Sequence, residues 1–485
     1  MDEIVILSYF IALTILFLFG SHGFLMVYYY YKYKDVNPSP REEWEPKETV
    51  TIQLPIFNER YVVDRLIDSV CAIEYPKDKL EIQVLDDSTD ETVDIVADIV
   101  EAKRAEGFDI VQIHRVDRTG YKAGALKEGL KVAKGEFVAI FDADFVPQSD
   151  FLKKTLPHFH NEKIGMVQTR WEHINGDYSI LTRTQALALD GHFVIDQQLR
   201  NKAGYFINFN GTGGVWRKSC IIDAGNWQGD TLTEDLDLSY RAQINGWKFV
   251  FLNNYTSPAE LPATISALKS QQFRWTKGAI ETAKKLLPMV WKSTVPLRVK
   301  LQATFHLTSN IVFPFILLAA ILNVPLVFIK NSGLHDMYFY LMSIFVLAFV
   351  GSFLYYLYSQ KDIRVDWRKK IVMFPLFMAG SMGFAVNNSR AVIEGLLNRK
   401  SEFVRTPKFK VVDRADSWLG KKYVDRKLGM AVIVELILAV YCLIGVGSSI
   451  YYMEIAALPF QLLFFVGFSF VATMSIRHAF AKSKA

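Results

Sequence analysis

Glu136-Phe137-Val138-Ala139-Ile140-Phe141-Asp142-Ala143-Asp144 is the stretch on which the reading of this 485-residue chain turns. Five apolar residues run unbroken into two acids, the pattern of a buried strand that stops where charge is wanted. Ligands of open α/β sheets bind at the carboxyl ends of the strands. Two aspartates one residue apart at such an end suit a hard divalent cation, since Mg²⁺ usually takes one or two carboxylates together with phosphate oxygens. An isolated Asp-x-Asp is more often a solvated turn, so the surroundings have to decide.

Upstream, the same arrangement repeats. Residues 49–54 make a short β-rich run stopped by Pro55, and a helical pattern follows Asn58-Glu59-Arg60 through Ile73. Residues 81–85 make a second strand ending in Asp86-Asp87-Ser88-Thr89-Asp90, residues 110–115 a third, and a helix around Tyr121–Ala133 leads into the strand that ends at Asp142. Strand–helix alternation at these lengths predicts a mainly parallel, doubly wound sheet. Acids and small polar residues gather at the strand exits, as in a nucleotide pocket. Asp86 or Asp87 could simply cap the next helix, with Asp87 the better candidate for a nucleotide contact. Lys122 could meet phosphate at a helix N-terminus.

The apolar residues, 51% of the chain, are unevenly spread. Residues 33–300 read as a soluble domain, whereas Ile4–Tyr31, Phe305–Ile329, Met337–Tyr358, Leu428–Tyr452 and Ala456–Met474 each approach the ~20 apolar residues that span a bilayer. The first begins with Asp2-Glu3 and ends in Lys32-Tyr33-Lys34 without a small-residue cleavage site, so it reads as a retained helix rather than a signal peptide. The positive-inside rule then makes the soluble domain cytoplasmic. It also favours laying Ile371–Val386 in the interface, because a sixth span would put the basic stretch from Arg390 to Lys427 outside. The formal charge of +5 suits a protein lying against an anionic leaflet, and no nucleic-acid motif is present. Cys71, Cys220 and Cys442 lack metal-ligand spacing and read as ordinary reduced thiols.

Further motifs follow the aspartate pair. Asn208 to Arg217 holds glycines that would let backbone approach a ligand. Thr231-Leu232-Thr233-Glu234-Asp235 offers Asp235 as a general base for a hydroxyl, although its position also suits a helix start. Residues 264–287, between Pro262 and Pro288, read as an interfacial helix. On it Gln271, Arg274 and Trp275 share one face at i, i+3 and i+4, an amide, a guanidinium and an indole that could meet sugar hydroxyls, a diphosphate and the apolar side of a sugar. Ser401 to Lys408 is a basic loop able to close over an anionic nucleotide or to meet lipid headgroups. Asn387, Asn388 and Arg390 are candidate lining residues for a passage through the spans.

In this order, over most of residues 49–410, the motifs resemble the family 2 membrane glycosyltransferases that build β-linked polysaccharides, among them cellulose, hyaluronan and plant mannan and glucomannan synthases. Asp86-Asp87 looks like the family's first aspartate motif, Asp142-Ala143-Asp144 like its Asp-x-Asp, Thr233-Glu234-Asp235 like its Thr-Glu-Asp, and Gln271-Gln272-Phe273-Arg274-Trp275 like its Gln-x-x-Arg-Trp. Asn208–Arg217 and Tyr121–Leu126 look most like the plant mannan-synthase branch. The resemblance implies a GT-A-like α/β domain inserted between transmembrane helices, acting at the plasma (inner) membrane. It implies that Asp87, with Asp86 and Lys122, meets the donor nucleotide, and that Asp142, Gln271 and Arg274 hold its diphosphate. Asp144 with Asp142 would bind Mg²⁺ or Mn²⁺, Asp235 would be the base, and Trp275 with Glu234 would meet the acceptor. Phe403, Thr406 and Lys408 resemble a gating loop of pattern Phe-x-Val-Thr-x-Lys, but Arg405 stands where that pattern has valine.

The expected organisation is an N-terminal transmembrane helix (1–32), a glycosyltransferase domain (45–262), an amphipathic interface region (263–300), a transmembrane pair (301–360), an interface helix with gating-like loop (361–427) and a second pair (428–485). The expected function is inverting transfer from GDP-mannose or UDP-glucose to a β-1,4-mannan or glucan. The alternative is one-step transfer to a lipid acceptor.

Overall fold

The computed structural model describes residues 2–36, 38–41, 43–401 and 403–481. It opens with the apolar helix α1, Asp2–Tyr33. A seven-stranded sheet follows: β1 Val50–Ile56, β2 Leu80–Asp86, β3 Asp109–His114, β4 Phe137–Ile140, β5 Ile164–His173, β6 Gly214–Arg217 and β7 Lys248–Ala259. Its order is β3-β2-β1-β4-β6-β5-β7. The half built from β1 to β4 is parallel, as the strand–helix alternation predicts. The departure is β6, which runs antiparallel to both β4 and β5.

Pro55 does not stop β1, which continues to Ile56. Gln53 accepts from Phe141 N–H on the β4 side and Ile56 accepts from Asp87 N–H on the β2 side. Pro55, in phase with Gln53, therefore aims its missing N–H to the side where pairing with β4 has already ended at Gln53. Three helices pack on this half: α2 Val63–Cys71, α3 Thr92–Ala105 and α4 Tyr121–Val132. Buried positions of α2 and α3, such as Val63, Leu66, Val96 and Val100, meet Ile52, Leu54 and Val84 in one core, while Ala123, Leu126 and Leu130 of α4 join a second with Leu85, Val138 and Ile140.

Beyond β5, α5 (Ile180–Asp190) passes through a π-helical turn at Gly191–Gln197 before the α-helix resumes at Gln198–Lys202. After α6 (Glu234–Ile244) comes α7, Ile265–Lys292, capped by Thr264, whose hydroxyl accepts from Ala267 N–H. This helix continues through Pro288 rather than stopping before it. Leu286 and Val290 bracket that proline and are fully buried against α6, so packing holds a turn that proline alone would break.

Four more long apolar helices follow: α8 Leu297–Asn331, α9 Asp336–Ile363, α12 Met430–Tyr451 and α13 Leu458–Phe480. With α1 they make five helices long and apolar enough to cross a membrane among the described residues. Between them lie α10, Trp367–Gly383, and α11, Ala385–Leu396, bent by 47° at their junction; taken as one span they would be a sixth. The three cysteines are free thiols.

Hydrogen bonds join the sheet domain to the apolar helices. Tyr240 of α6 is hydrogen-bonded to His306 of α8 at 2.7 Å, and Arg200 meets the same ring nitrogen at 2.7 Å. Among the apolar helices, α10 lies on α13 with backbone nearly touching backbone, so that a Cβ on Gly467 would meet Ala379 O at 2.1 Å and one on Gly383 would meet Gly467 O at 2.3 Å. Small residues permit such close crossings in membrane bundles. Gly467→Val should force α10 away at a cost of roughly 1–3 kcal/mol, read as a lower midpoint of thermal unfolding of the detergent-solubilised protein.

Candidate active site

The parallel strands end on one cleft of about 210 Å³, and the groups around it come from every part of the chain. Asp87 follows β2, Asp142 and Asp144 follow β4, and Lys122 lies in the first turn of α4. Glu234 and Asp235 open α6, and Gln271, Arg274 and Trp275 stand on α7. Phe403, Thr406 and Lys408 arrive from the loop after α11. All of these border the same cleft.

Of the two acids expected at the donor, only Asp87 borders it. Asp86 is fully buried and spent on local structure, with one oxygen accepting from Ser88 N–H at 2.9 Å and the other from Gln112 Nε2 at 2.8 Å. Asp87 is gripped by Arg115, whose Nε and Nη2 reach its two oxygens at 2.8 and 2.6 Å. Asn387, Asn388 and Arg390 are turned to other work: Asn387 donates to Lys269 O and to Asn388 Oδ1, and Arg390 pairs with Glu394 at 2.8 Å.

Lys122 ties the centre together. Its Nζ donates to Asp142 Oδ1 at 2.5 Å and to Gly211 O at 2.9 Å. Burial alone would depress the lysine, but Asp142, with Glu234 and Asp235, keeps it above its ordinary value. Burial likewise lifts the Asp142 carboxyl above the usual carboxylate range, against the pull of Lys122. Gly211 has a φ of 82°, and a Cβ there would lie 3.1 Å from Asp235 Oδ2, so the absent side chain keeps the space before Asp235 open. Burial, and then the neighbouring Glu234, push the Asp235 carboxyl upward. One of its oxygens accepts from Leu236 N–H at 2.8 Å, leaving the other for chemistry.

The loop is inserted. Arg274 Nη2 donates to Thr406 Oγ1 at 2.7 Å, and its guanidinium lies 4.5 Å from the ring centre of Phe403, which stacks on Tyr121 at 5.5 Å. Burial brings the Arg274 guanidinium down to about 10. Lys408 Nζ donates to Asp144 Oδ2 at 2.7 Å and also to Glu260 O. Arg405 Nη1 is 3.0 Å from Glu59 Oε1. Burial lifts Glu59 to about 8, with Arg405 opposing. Sequence reasoning singled out neither Glu59 nor Arg118, whose guanidinium sits 3.3 Å from the ring centre of Phe57 beside the same cleft. The signal for Glu59 was its place at a strand exit, the same signal that marked Asp87.

Asp142 and Asp144 suit a divalent cation in donor chemistry: hard carboxylate oxygens, with the ammonium of Lys408 already against Asp144 as a positive charge. Among the described residues no three His, Cys, Asp or Glu side chains converge as a complete metal cage. Two such carboxylates would hold a cation that completes its shell with phosphate and water, as Mg²⁺ does.

A second cavity, of about 560 Å³, adjoins the cleft among α1, α8, α9, α10 and α13. His192, on its wall, is hydrogen-bonded at 3.0 Å to Asn210, on the wall of the cleft. Asp196, Arg200, His22 and Gln302 line it, with Phe305, Tyr355, Tyr356 and other rings between them.

Comparison with known proteins shows what the chain is similar to. The family described as glycosyltransferase like family 2 matches residues 46–278. Glucomannan 4-beta-mannosyltransferase 1 of Oryza sativa subsp. japonica is 46% identical over 243 residues, 49% of this chain and 47% of its own length. Glucomannan 4-beta-mannosyltransferase 9 of Arabidopsis thaliana is 34% identical over 459 residues, 88% of this chain and 82% of its own. The chain spans about half the length of the first curated relatives it matches. In fold it is similar to a mannosyltransferase from Pyrobaculum calidifontis solved with GDP-mannose and Mn²⁺, at a TM-score of 0.55 and 18% identity over 80% of this chain and 100% of that one. Fold, motif order and a relative matched over most of both chains agree: the protein belongs to glycosyltransferase family 2.

Proposed function

We propose that this enzyme is an inverting, divalent-cation-dependent synthase that moves mannose from GDP-mannose onto a growing β-1,4-linked mannan or glucomannan at a membrane. The observation that carries the reading is the single cleft shared by Asp87, Asp142, Asp144, Asp235, Arg274 and Trp275. The names of the plant relatives, both glucomannan 4-beta-mannosyltransferases, support mannose as the sugar and the β-1,4 linkage. The five long apolar helices support a membrane protein. The charge pattern of the sequence supports a catalytic domain on the cytoplasmic side of the plasma (inner) membrane.

In this reading Asp87 faces the nucleoside, while Lys122 and Arg274 receive the diphosphate. Asp142 and Asp144 hold the cation, which when bound neutralises charge on the departing diphosphate. Trp275 carries the apolar face of the acceptor sugar, with Gln271 and Glu234 on its hydroxyls. Asp235 accepts the proton of the attacking hydroxyl. That oxygen bonds to the anomeric carbon as the glycosyl–phosphate bond breaks, and its electron pair leaves with the diphosphate, so an α-linked donor becomes a β-linked product. The loop around Phe403, Thr406 and Lys408 withdraws to admit the donor and returns to shut water out, because a cleft of about 210 Å³ is smaller than the ~300–1,000 Å³ usual for ligand pockets. The adjoining cavity gives the product chain a polar and aromatic route among the helices.

The direct test is sugar incorporation by the membrane-embedded protein with Mn²⁺ or Mg²⁺, offering radiolabelled GDP-mannose and UDP-glucose separately. A long product from GDP-mannose, cut by β-mannanase, is expected. A short, organic-extractable product would replace the polymer with a glycolipid, and label from UDP-glucose alone would replace the sugar.

Asp235→Asn should lower turnover by about 10²–10⁴ or more while leaving GDP binding near that of the wild type, measured by single-turnover assay and titration. The pH profile carries the same information. A base must be ionised to act, and burial with Glu234 raises its pKa. Activity should therefore be lost on acidification well above the ~3.9 of a free aspartate, and the limb should vanish from the residual activity of Asp235→Asn.

A further inference from the structure

We propose that Arg405 is a ligand for the donor's diphosphate, paired with Glu59 until the nucleotide arrives. The inference rests on the nucleotide-sugar reading above and goes beyond it, since the gating-loop pattern the sequence resembles, Phe-x-Val-Thr-x-Lys, has an uncharged valine at this position.

A guanidinium in place of valine would ordinarily turn outward to water. Here it turns in. The Arg405 side chain is only 12% exposed, lies 4.1 Å from the ring centre of Tyr423, and borders the cleft that holds Asp142, Asp144 and Arg274. Its contact with Glu59 is close, yet neither Nη1 nor Nη2 makes a well-directed hydrogen bond among the described residues, and Glu59 Oε2 is equally unmatched. Buried donors left in this condition are costly, and a planar guanidinium with free N–H groups is suited to a two-pronged grip on phosphate.

The neighbours point the same way. Arg274 holds Thr406, the residue next to Arg405, so the inserted loop brings a second guanidinium to the cleft that Arg274 lines. Lys408 adds a third cation on Asp144. A structural latch needs one well-made ion pair. This loop carries more positive charge into the cleft than Glu59 and Asp144 balance once a divalent cation claims Asp144, and a diphosphate supplies the missing negative charge. Glu59 is then the resting counter-ion that Arg405 leaves when the nucleotide enters.

The test is titration of the full-length, detergent-solubilised protein with GDP and with UDP in the presence of Mn²⁺. Arg405→Val should weaken binding of whichever nucleotide the wild type takes by about tenfold or more and flatten its dependence on salt. If both nucleotides bind, the two losses should match, because phosphate is common to them. Arg405→Lys should recover part of the loss, and Glu59→Gln should bind at least as tightly as the wild type. Unchanged affinity in Arg405→Val overturns the proposal, as does a loss confined to one base. Equal weakening by Arg405→Val and Glu59→Gln would make the pair a latch and overturn it too. If Arg405→Val does not fold, Arg405→Gln reports in its place. A wild type that binds neither nucleotide sinks the donor reading itself, a different result from a wild type that binds and a variant that binds equally well.

Discussion

Carboxylates gathered in a narrow cleft repel one another and lose their water, so each needs a cation or a proton within reach. That constraint organises the centre of this molecule. Asp87 has Arg115, Asp142 has Lys122, Asp144 has Lys408, and Glu59 has Arg405. Among the described residues Glu234 and Asp235 have no dedicated ion pair, and burial makes both hold their protons more tightly. Two of the four balancing cations, Arg405 and Lys408, sit on the inserted loop.

The sheet and membrane helices exist to bring these groups together from distant parts of the sequence. β2 and β4 deliver their acids because both strands are parallel and end at the same edge. The α7 helix delivers Arg274 and Trp275 and continues through Pro288, packed against α6, so the face that carries them and the helix that starts at Glu234 form one unit. Tyr240 and His306 then fasten that unit to the apolar helix α8.

Much of this was legible in the sequence because it rests on short-range patterns. Apolar runs ending in acids gave β2 and β4, and the i, i+3, i+4 spacing gave the shared face of Gln271, Arg274 and Trp275. What was not legible depends on pairing across the chain. Asp86 and Asp87 are chemically identical in the sequence, and only the neighbouring strand, through Gln112, decides which of them turns away. The antiparallel course of β6 has no local signature in Gly214–Arg217, since strand direction is set by its partners. Pro55 marks a strand end by composition but is harmless where β4 has already stopped. Arg405 was visible as an odd residue in a known pattern, while its inward course depends on Glu59, which is far away in the chain.

The anchoring of the loop has a kinetic consequence. Lys277, fully buried on α7, donates to Ser401 Oγ at 2.7 Å and to Arg399 O, and Lys284 on the same helix donates to Leu396 O at 2.7 Å. The segment is thus moored five residues before Thr406, on the helix that carries Arg274. Five residues reach at most about 17 Å, so a withdrawn Thr406 stays within that radius of Ser401. So short a tether gives an effective concentration on the order of millimolar. In the elongating enzyme proposed above, re-entry would then be an intramolecular event that recurs without a search, so that the cover stays near between additions.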